Sequence, residues 1–236
     1  MKKNIYHLLN LTILGGMLLT GCGRDPVSVA IRAIEQGQLQ NAEQILTHAL
    51  QDDPANINAL MNLSIVYFKN GRHDDAMAGF LQVAEQASQD PRPLEYAASI
   101  QIENNRWAEA AALLDEALRR SPRSPSVQTA MAIVDLNTTG ATAARDRLLK
   151  IIADTPAYAP ALFNLGVINR DWLKNQSEGK KYFQRYLALE KNNPHSVIAR
   201  VALTEKMRNP STLPTSSGKP QSGNTARDNR NRVKYF

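Results

Sequence analysis

Residues whose side chains could carry chemistry are few and widely separated in this chain of 236 residues. Beyond the first 21 residues the histidines are His48, His73 and His195, and no two of them have the spacing of metal ligands on one helix. The sequence contains no His-Glu-x-x-His motif, no glycine-rich phosphate-binding loop and no Gly-x-Ser-x-Gly motif. We therefore predict no catalytic residues, no metal site and no cofactor, which makes an enzyme the less favoured class.

The densest group of titratable side chains is the run His73, Asp74 and Asp75. Such a run could bind a metal ion or act in acid–base chemistry. It lies, however, where the surrounding pattern places the start of a helix, and aspartates are favoured there because they cap backbone N–H groups and interact well with the helix dipole. We interpret the run as a helix start. Trp107 and Trp172 are interpreted as core or rim aromatics rather than as a ligand cage.

The single cysteine, Cys22, follows a segment typical of a signal peptide. A basic start at Lys2 and Lys3 precedes a mostly apolar run, Leu8–Leu19, and then small residues. This run is too short for a membrane-spanning helix with these flanks. Because the chain has no second cysteine, no internal disulfide competes for the thiol. Residues 1–21 are therefore predicted to be a signal peptide.

The junction Leu19-Thr20-Gly21-Cys22 resembles the lipobox of bacterial lipoproteins. The resemblance implies cleavage before Cys22, a diacylglycerol on its sulfur and an acyl chain on its nitrogen, with residues 22–26 as a lipidated tether. Several acyl chains, at ~0.8 kcal/mol per buried methylene, would anchor the protein firmly in a bilayer. Gly23 follows the cysteine, and by the sorting rule of enteric bacteria this favours the outer membrane, facing the periplasm. The alternative is an ordinary secretory peptide with a stray cysteine.

The remainder of the chain repeats every 34 residues. Small residues set one register, at Ala42, Ala76, Ala110 and Ala144, and larger apolar residues set a second, at Leu46, Phe80, Leu114 and Leu148. A third register holds small side chains only, at Ala30, Ser64, Ala98, Ala132 and Gly166. This period is the length of a helix-turn-helix unit, and within each unit the apolar residues lie on one helical stripe. The pattern predicts an array of paired helices.

These units resemble the tetratricopeptide repeat family, and the best copy has Leu63, Ser64, Tyr67, Gly71, Ala76, Phe80 and Ala84 at the family's places. The resemblance implies an all-α, right-handed α-solenoid of about five repeats over residues 27–194. A terminal repeat needs a polar face or a cap. Residues 195–209 are predicted to form a capping helix whose inward stripe is Val197, Ile198, Val201 and Ala202. Residues 210–236 are rich in Ser, Pro, Gly, Asn and Arg, and are predicted to be a disordered basic tail.

Two local features of the repeats carry predictions of their own. Gly37, Gly71 and Asn105 fall between paired helices, where a left-handed backbone conformation commonly ends a helix. In the fifth repeat the register breaks after Gly166, and one or two inserted residues restore it. The residues at the restored places are Gly179, Phe183, Tyr186 and Leu187.

In this family the first helix of each repeat lines a concave face. Carried over place by place, the resemblance implies a peptide-binding groove of Met61, Ile65, Phe68, Lys69, Ile102, Ile133, Leu136, Phe163, Val167 and Arg170. The same places add the polar residues Asn58, Glu95, Ser99, Glu103, Thr129, Asn137 and Asp171. If the groove carries the binding, Ile65, Phe68, Ile102 and Phe163 are expected to be exposed on one face. The alternative is that some of these residues only pack against the neighbouring repeat or the tail.

The positive charge of the chain is concentrated at its ends. The net charge is +6, with Lys2 and Lys3 in the predicted signal peptide. The predicted tail holds the basic residues Lys219, Arg227, Arg230, Arg232 and Lys234 against the single acidic residue Asp228. The repeats are therefore close to neutral, and the basic composition does not predict a nucleic-acid partner.

The sequence as a whole predicts a non-enzymatic scaffold of the bacterial cell envelope, lipid-anchored and facing the periplasm. Its expected partners are one or more envelope proteins or peptides, and the bilayer through acylated Cys22. Lipoproteins of this design resemble pilotins for pilus secretins, factors for outer-membrane barrel assembly and scaffolds for peptidoglycan enzymes. Assistance to a secretion or pilus complex through the groove is slightly favoured. The alternative is an enzyme-associated subunit or regulator of peptidoglycan enzymes, without catalysis of its own.

Overall fold

The computed structural model describes residues 25–204, and all regular structure within them is helical. The helices are α1 (Pro26–Glu35), α2 (Leu39–Asp52), α3 (Ile57–Lys69), α4 (His73–Gln86), α5 (Arg92–Glu103), α6 (Trp107–Arg120), α7 (Pro125–Thr138), α8 (Ala141–Asp154), α9 (Ala159–Val167), α10 (Gln176–Leu189) and α11 (Pro194–Thr204). No helix of this described part is both long enough and apolar enough to cross a bilayer. Cys22, the signal peptide and the basic tail lie outside the described residues.

Ten of these helices form five consecutive pairs, and each helix packs against the one before and the one after it. The backbones of the first helices of neighbouring pairs (α1, α3, α5, α7, α9) also approach one another closely, whereas within residues 25–204 those of the second helices of neighbouring pairs do not. The array therefore curves with its first helices on the inner side. The predicted all-α repeat solenoid is confirmed.

The residues that define the 34-residue period form the core between the helices. The alanine register of Ala42, Ala76, Ala110 and Ala144 is fully buried, and so is the register of Leu46, Phe80, Leu114 and Leu148. In each pair the small side chain lets two helices approach, and the large one fills the space one turn later. The core is consequently a row of clusters between adjacent pairs, as expected for a solenoid.

The turns inside the first three pairs have the predicted backbone conformation. Gly37 and Gly71 have φ of +73° and +75°, and Asn105 has φ of +57°. Each follows the end of a first helix, where a left-handed residue turns the chain into the second helix. Asparagine is the non-glycine residue that best tolerates this conformation.

The register break in the fifth repeat is absorbed by a change of helix type. Residues Ile168–Trp172 continue α9 as a π-helical turn, which accommodates extra residues without ending the helix. Beyond it, Gly179 on α10 is buried and takes the alanine place of the earlier repeats, and Phe183 is fully buried behind it. A Cβ on Gly179 would lie 2.9 Å from the backbone oxygen of Gly166. This pair of helices therefore crosses closely through two glycines.

Gly166→Ala is expected to destabilise the protein, because a Cβ at that position would lie 2.6 Å from ring carbons of Phe183. In an ordinary helix interior the same change stabilises by about 0.5–1 kcal/mol. Here we expect a loss of about 1–3 kcal/mol in the free energy of unfolding, measured by urea denaturation. As a control, combining it with Phe183→Leu should cost less than the sum of the two single changes. A stabilising Gly166→Ala would contradict this helix crossing.

The capping helix α11 buries a different face from the one predicted. Its buried residues are Ser196, Ala199 and Ala202, whereas Val197 and Val201 are 55% and 52% exposed. The predicted inward stripe is therefore wrong for both valines. It is right for Ala202, with Ile198 partly buried against the core.

The rotation of α11 is set by hydrogen bonds at its first turn. The Ser196 hydroxyl donates to the backbone oxygen of Glu190 at 2.9 Å, and the Ser196 N–H donates to Asn193 Oδ1, also at 2.9 Å. These bonds hold Ser196 inward, so that residues three and six positions later follow it and the two valines turn outward. A stripe of apolar residues alone does not reveal this constraint.

The acidic run at the start of α4 is a helix start, as interpreted, but without side-chain capping of the first turn. Asp74 and Asp75 lie in that turn, where the helix dipole favours negative charge. Asp75 Oδ2 accepts a hydrogen bond from Arg72 Nε at 2.7 Å, and His73 Nε2 lies 3.5 Å from Glu103 Oε2. Across residues 25–204, no group of three or more His, Asp or Glu side chains is arranged to hold a metal ion.

Candidate binding cleft

A cleft of about 880 Å³ runs along the inner side of the solenoid. It begins at the end of α3, passes α5, α7 and α9, and ends where α10 meets α11. Its lining includes aromatic, hydroxyl, carboxylate and basic side chains. A volume of this size accommodates several side chains of a bound chain.

One end of the cleft is an aromatic wall built by α3 and α5. The rings of Phe68 and Tyr96 meet edge to face, with centroids 6.3 Å apart. Tyr96 in turn stacks on the fully buried Phe80, with centroids 5.0 Å apart and an interplanar angle of 11°. Phe68 and Tyr96 are both half-buried, so each has one side against the core and one facing the cleft.

The opposite end of the cleft is a second aromatic cluster, centred on Phe163 of α9. Its ring lies 5.3 Å from that of Tyr186 and 4.7 Å from the imidazole of His195. Burial lowers the pKa of His195, which favours the neutral imidazole in this apolar setting. Phe163 and Tyr186 are each only 2% exposed, so the half-buried imidazole of His195 provides most of the ring surface at this end.

Between the two aromatic ends lies the carboxylate of Glu95. Its Oε2 accepts a hydrogen bond from the Ser126 hydroxyl at 2.8 Å, which links α5 to α7 across the cleft. Tyr158, the residue that precedes α9, lines the same stretch. Burial raises the pKa of Glu95, and the Ser126 hydrogen bond opposes that shift. The centre of the cleft is thus a partly desolvated acid.

Four of the ten residues predicted for the groove line this cleft: Ile65, Phe68, Lys69 and Phe163. Met61 instead lines a smaller neighbouring cleft of about 400 Å³, which Ile65 also borders. Among the polar residues at the same places, Glu95, Ser99, Glu103, Thr129 and, at the other cleft, Asn58 lie on the inner surface. That these residues bind a peptide remains a prediction.

The expectation of exposure is wrong for two of the four side chains named for it. Ile65 and Phe68 are half-buried, but Ile102 is only 1% exposed and Phe163 only 2%. Ile102 packs in the core cluster between α5, α6 and α7, because neighbouring first helices lie close enough to close over it. Phe163 borders the cleft with little of its surface.

The remaining predicted groove residues lie outside the cleft. Ile133 and Val167 are buried between repeats, which is the alternative that the sequence left open for this set. Leu136 is half-buried against the core of the fourth and fifth repeats. Arg170 forms an ion pair with Asp171, with 2.7 Å between Nε and Oδ1.

Several cleft residues were not found from the sequence, most notably Tyr96, Ser126, Tyr158 and His195. Ser126 stands at the same place of its repeat as Asn58, two periods of 34 residues later, and Tyr96 is one place away from a position that the family pattern marks. Tyr158 precedes its helix and His195 belongs to the cap, so neither has a place in the pattern. The available signal was the presence of tyrosines near the starts of α5 and α9.

Glu95→Gln is expected to stabilise the free protein at neutral pH. The folded state holds the Glu95 proton more tightly than the unfolded chain, so stability falls as the pH rises from the ordinary glutamate value of 4.5 through the raised pKa. Glutamine keeps an acceptor for Ser126 and carries no charge. Urea denaturation should show the variant more stable than the natural protein at pH 7, with the difference vanishing below about pH 4. Glu103→Gln at the cleft rim is the matched control, and a destabilised Glu95→Gln at pH 7 would contradict the expectation.

Comparison with known families places tetratricopeptide repeats in the first half of the chain. Residues 33–100 match one tetratricopeptide repeat model, and residues 94–128 match a second. No curated protein sequence matches the chain significantly.

Solved structures extend the likeness over most of the chain. PilF from Pseudomonas aeruginosa is 17% identical with a TM-score of 0.62, and the match covers 75% of this chain and 81% of PilF. TTC0263, a tetratricopeptide repeat protein from Thermus thermophilus, is 17% identical with a TM-score of 0.65, covering 75% and 97%. YrrB, a tetratricopeptide repeat protein with an unusual peptide-binding site, is 14% identical with a TM-score of 0.50, covering 75% and 90%.

At these identities the solved structures establish the fold alone, while the family models locate the repeats in the sequence. Tetratricopeptide repeats generally mediate protein–protein interactions and are typically non-catalytic scaffolds. Residues 33–128 therefore carry tetratricopeptide repeats, and the described chain as a whole has the helical solenoid fold of that family.

Proposed function

We propose that this protein is a lipid-anchored scaffold of the bacterial envelope that holds a segment of another envelope protein in its concave cleft, without catalysis. The observation that carries the proposal is the cleft itself. It extends along four consecutive first helices and has half-buried rings on both sides of a polar centre, Phe68 and Tyr96 at one end and His195 at the other. Such a surface suits a chain that spans several repeats better than it suits one small molecule.

The arrangement of the cleft indicates how a segment would bind. An extended peptide or an amphipathic helix docks through a few apolar side chains placed along its length. Phe68 with Tyr96 would receive one such anchor, and the half-buried His195, which lies against Phe163, would contact a second. Aromatic side chains of this kind contribute much of the energy of protein interfaces.

Two of the structural neighbours are consistent with a binding role. YrrB is described as having a peptide-binding site, so a solenoid of this class can hold one. PilF shares the helical fold over three quarters of this chain. The proposal of a secretion or pilus complex as the client rests on the lipobox and on the shape of the cleft, and the fold is compatible with it.

Cys22→Ala should release the protein from the membrane. If Cys22 carries the acyl chains, the natural protein will sediment with membranes, and the variant will appear in the soluble fraction of the periplasm, because the binding energy of the buried methylenes is lost. Membrane fractionation with immunoblotting measures this, and mass spectrometry of the natural protein should show a lipidated chain beginning at Cys22. Substitution of the neighbouring Gly23 by serine is a matched control for the anchor. Unchanged sedimentation of Cys22→Ala, or a natural chain that retains residues 1–21, would overturn the anchored location.

A further inference from the structure

The Glu95 carboxylate has no positive charge beside it. Among residues 25–204 the structure records no ion pair for Glu95, and the Ser126 hydroxyl is its recorded side-chain donor. The nearest arginine along the helix, Arg92, is already paired with Asp90, with 2.6 Å between Nη2 and Oδ2. A partly buried carboxylate without a cation is costly to a free protein, since desolvation penalises its charge.

The surroundings of Glu95 are those of a cation site. Tyr96 and Tyr158 line the cleft together with Glu95. Burial, followed by the charge of Glu95, raises the pKa of both phenols. Hydroxyl groups of Ser99 and Thr129 line the same stretch of the cleft. Aromatic faces attract an ammonium or guanidinium group, and the attraction grows when water is excluded.

The other charged groups of the cleft stand further along it. Lys69 and Arg92 lie toward the first aromatic end, and Glu190 with His195 toward the second. Glu103 Oε2 lies 3.5 Å from Nε2 of His73. No cation from α7 or α9 lines the cleft, and within the described chain Arg92, one turn before Glu95 on α5, is paired with Asp90 rather than with Glu95.

We propose that Glu95 sets the specificity of the cleft by binding a lysine or arginine side chain of the partner segment, between Tyr96 and Tyr158. This rests on the proposed function, since it assumes that the cleft holds a peptide. The partner segment then has a basic residue at its centre and apolar or aromatic residues on both sides, which occupy the two aromatic ends. The incoming cation replaces the lost hydration of the carboxylate and forms a charge-assisted hydrogen bond.

The charge of Glu95 would therefore lower the stability of the free protein and increase the specificity of binding. The same carboxylate that weakens the empty fold at neutral pH strengthens binding once a cation neutralises it. Glu95→Gln separates the two effects, because it retains the acceptor for Ser126 and removes only the charge. A residue with a purely structural role would not show a gain in stability together with a loss of binding.

The test is a selection of random peptides displayed on phage, carried out on the full mature chain in nanodiscs. We expect the peptides selected by the natural protein to be enriched in lysine or arginine flanked by aliphatic or aromatic residues. Synthetic copies of the selected peptides should bind Glu95→Gln about 10-fold to 100-fold more weakly, as for loss of a hydrogen bond between charged groups. Glu103→Gln, which removes an equal charge at the rim, should change their affinity much less.

The outcomes separate this inference from the proposed function. Peptides that lose affinity on Phe68→Ala, yet show no basic enrichment or bind Glu95→Gln equally well, would overturn the role of Glu95 and leave the cleft as a binding site. Peptides unaffected by either change would bind elsewhere and overturn both. Failure to select any peptide would also count against both.

Discussion

Phe80→Ala is expected to lower the free energy of unfolding by about 3–5 kcal/mol. The Phe80 side chain is fully buried, and it packs among α3, α4 and α5 in the core cluster of the second and third repeats. Its ring also stacks on Tyr96 with centroids 5.0 Å apart, so the substitution removes both buried area and an aromatic contact. Urea denaturation followed by circular dichroism measures the change.

The neighbouring residue supplies the control for this prediction. Leu81 lies on the same helix but is 39% exposed, and Leu81→Ala should cost far less than Phe80→Ala. A loss below about 0.5 kcal/mol for Phe80→Ala, the range of ordinary surface substitutions, would mean that the 34-residue register is misplaced. Because Phe80 supports Tyr96 from behind, its loss should also loosen the first aromatic end of the cleft.

Much of the fold could be predicted because the repeat places many constraints on each residue. Ala76 and Phe80 recur in step with their counterparts, and burial of one position in one unit implies burial in the others. The positive φ angles at Gly37 and Asn105 followed from residue type and position alone. The extra residues after Gly166 could be counted from the sequence, but their form could not. A π-helical turn and a loop can each accommodate the same extra residues, so the sequence pattern does not distinguish between them.

The cleft was harder to predict because it depends on how closely neighbouring repeats approach. Ile102 and Phe68 both occupy family places on the inner face. The next repeat covers Ile102, whereas Phe68 still faces the cleft. That difference arises from the spacing of whole helices, which no single repeat encodes. Tyr158 and His195 enter the cleft from outside the pattern of first helices. Their contribution appears only when several repeats and the cap are assembled.

Phe68→Ala tests the central claim, that the concave cleft is the binding surface. Phe68 is half-buried, with one side on Tyr96 and the other toward the cleft, and it is the best placed apolar anchor among the predicted residues. An anchor of this kind contributes about 2 kcal/mol or more to binding, which corresponds to a roughly 30-fold loss of affinity. Helix content should change little, because Phe68 is only half-buried and the fully buried residues of the same core cluster remain.

The most direct measurement is the affinity of three variants for the partner captured by crosslinking in intact envelopes. We expect Phe68→Ala to weaken binding about 30-fold or more, whereas Leu81→Ala on the outer surface and a chain ending at residue 209 should bind almost as well as the natural protein. A partner that tolerates Phe68→Ala but is lost with residues 210–236 would contradict binding in the cleft, because binding would then reside in the basic tail and the solenoid would act only as a spacer.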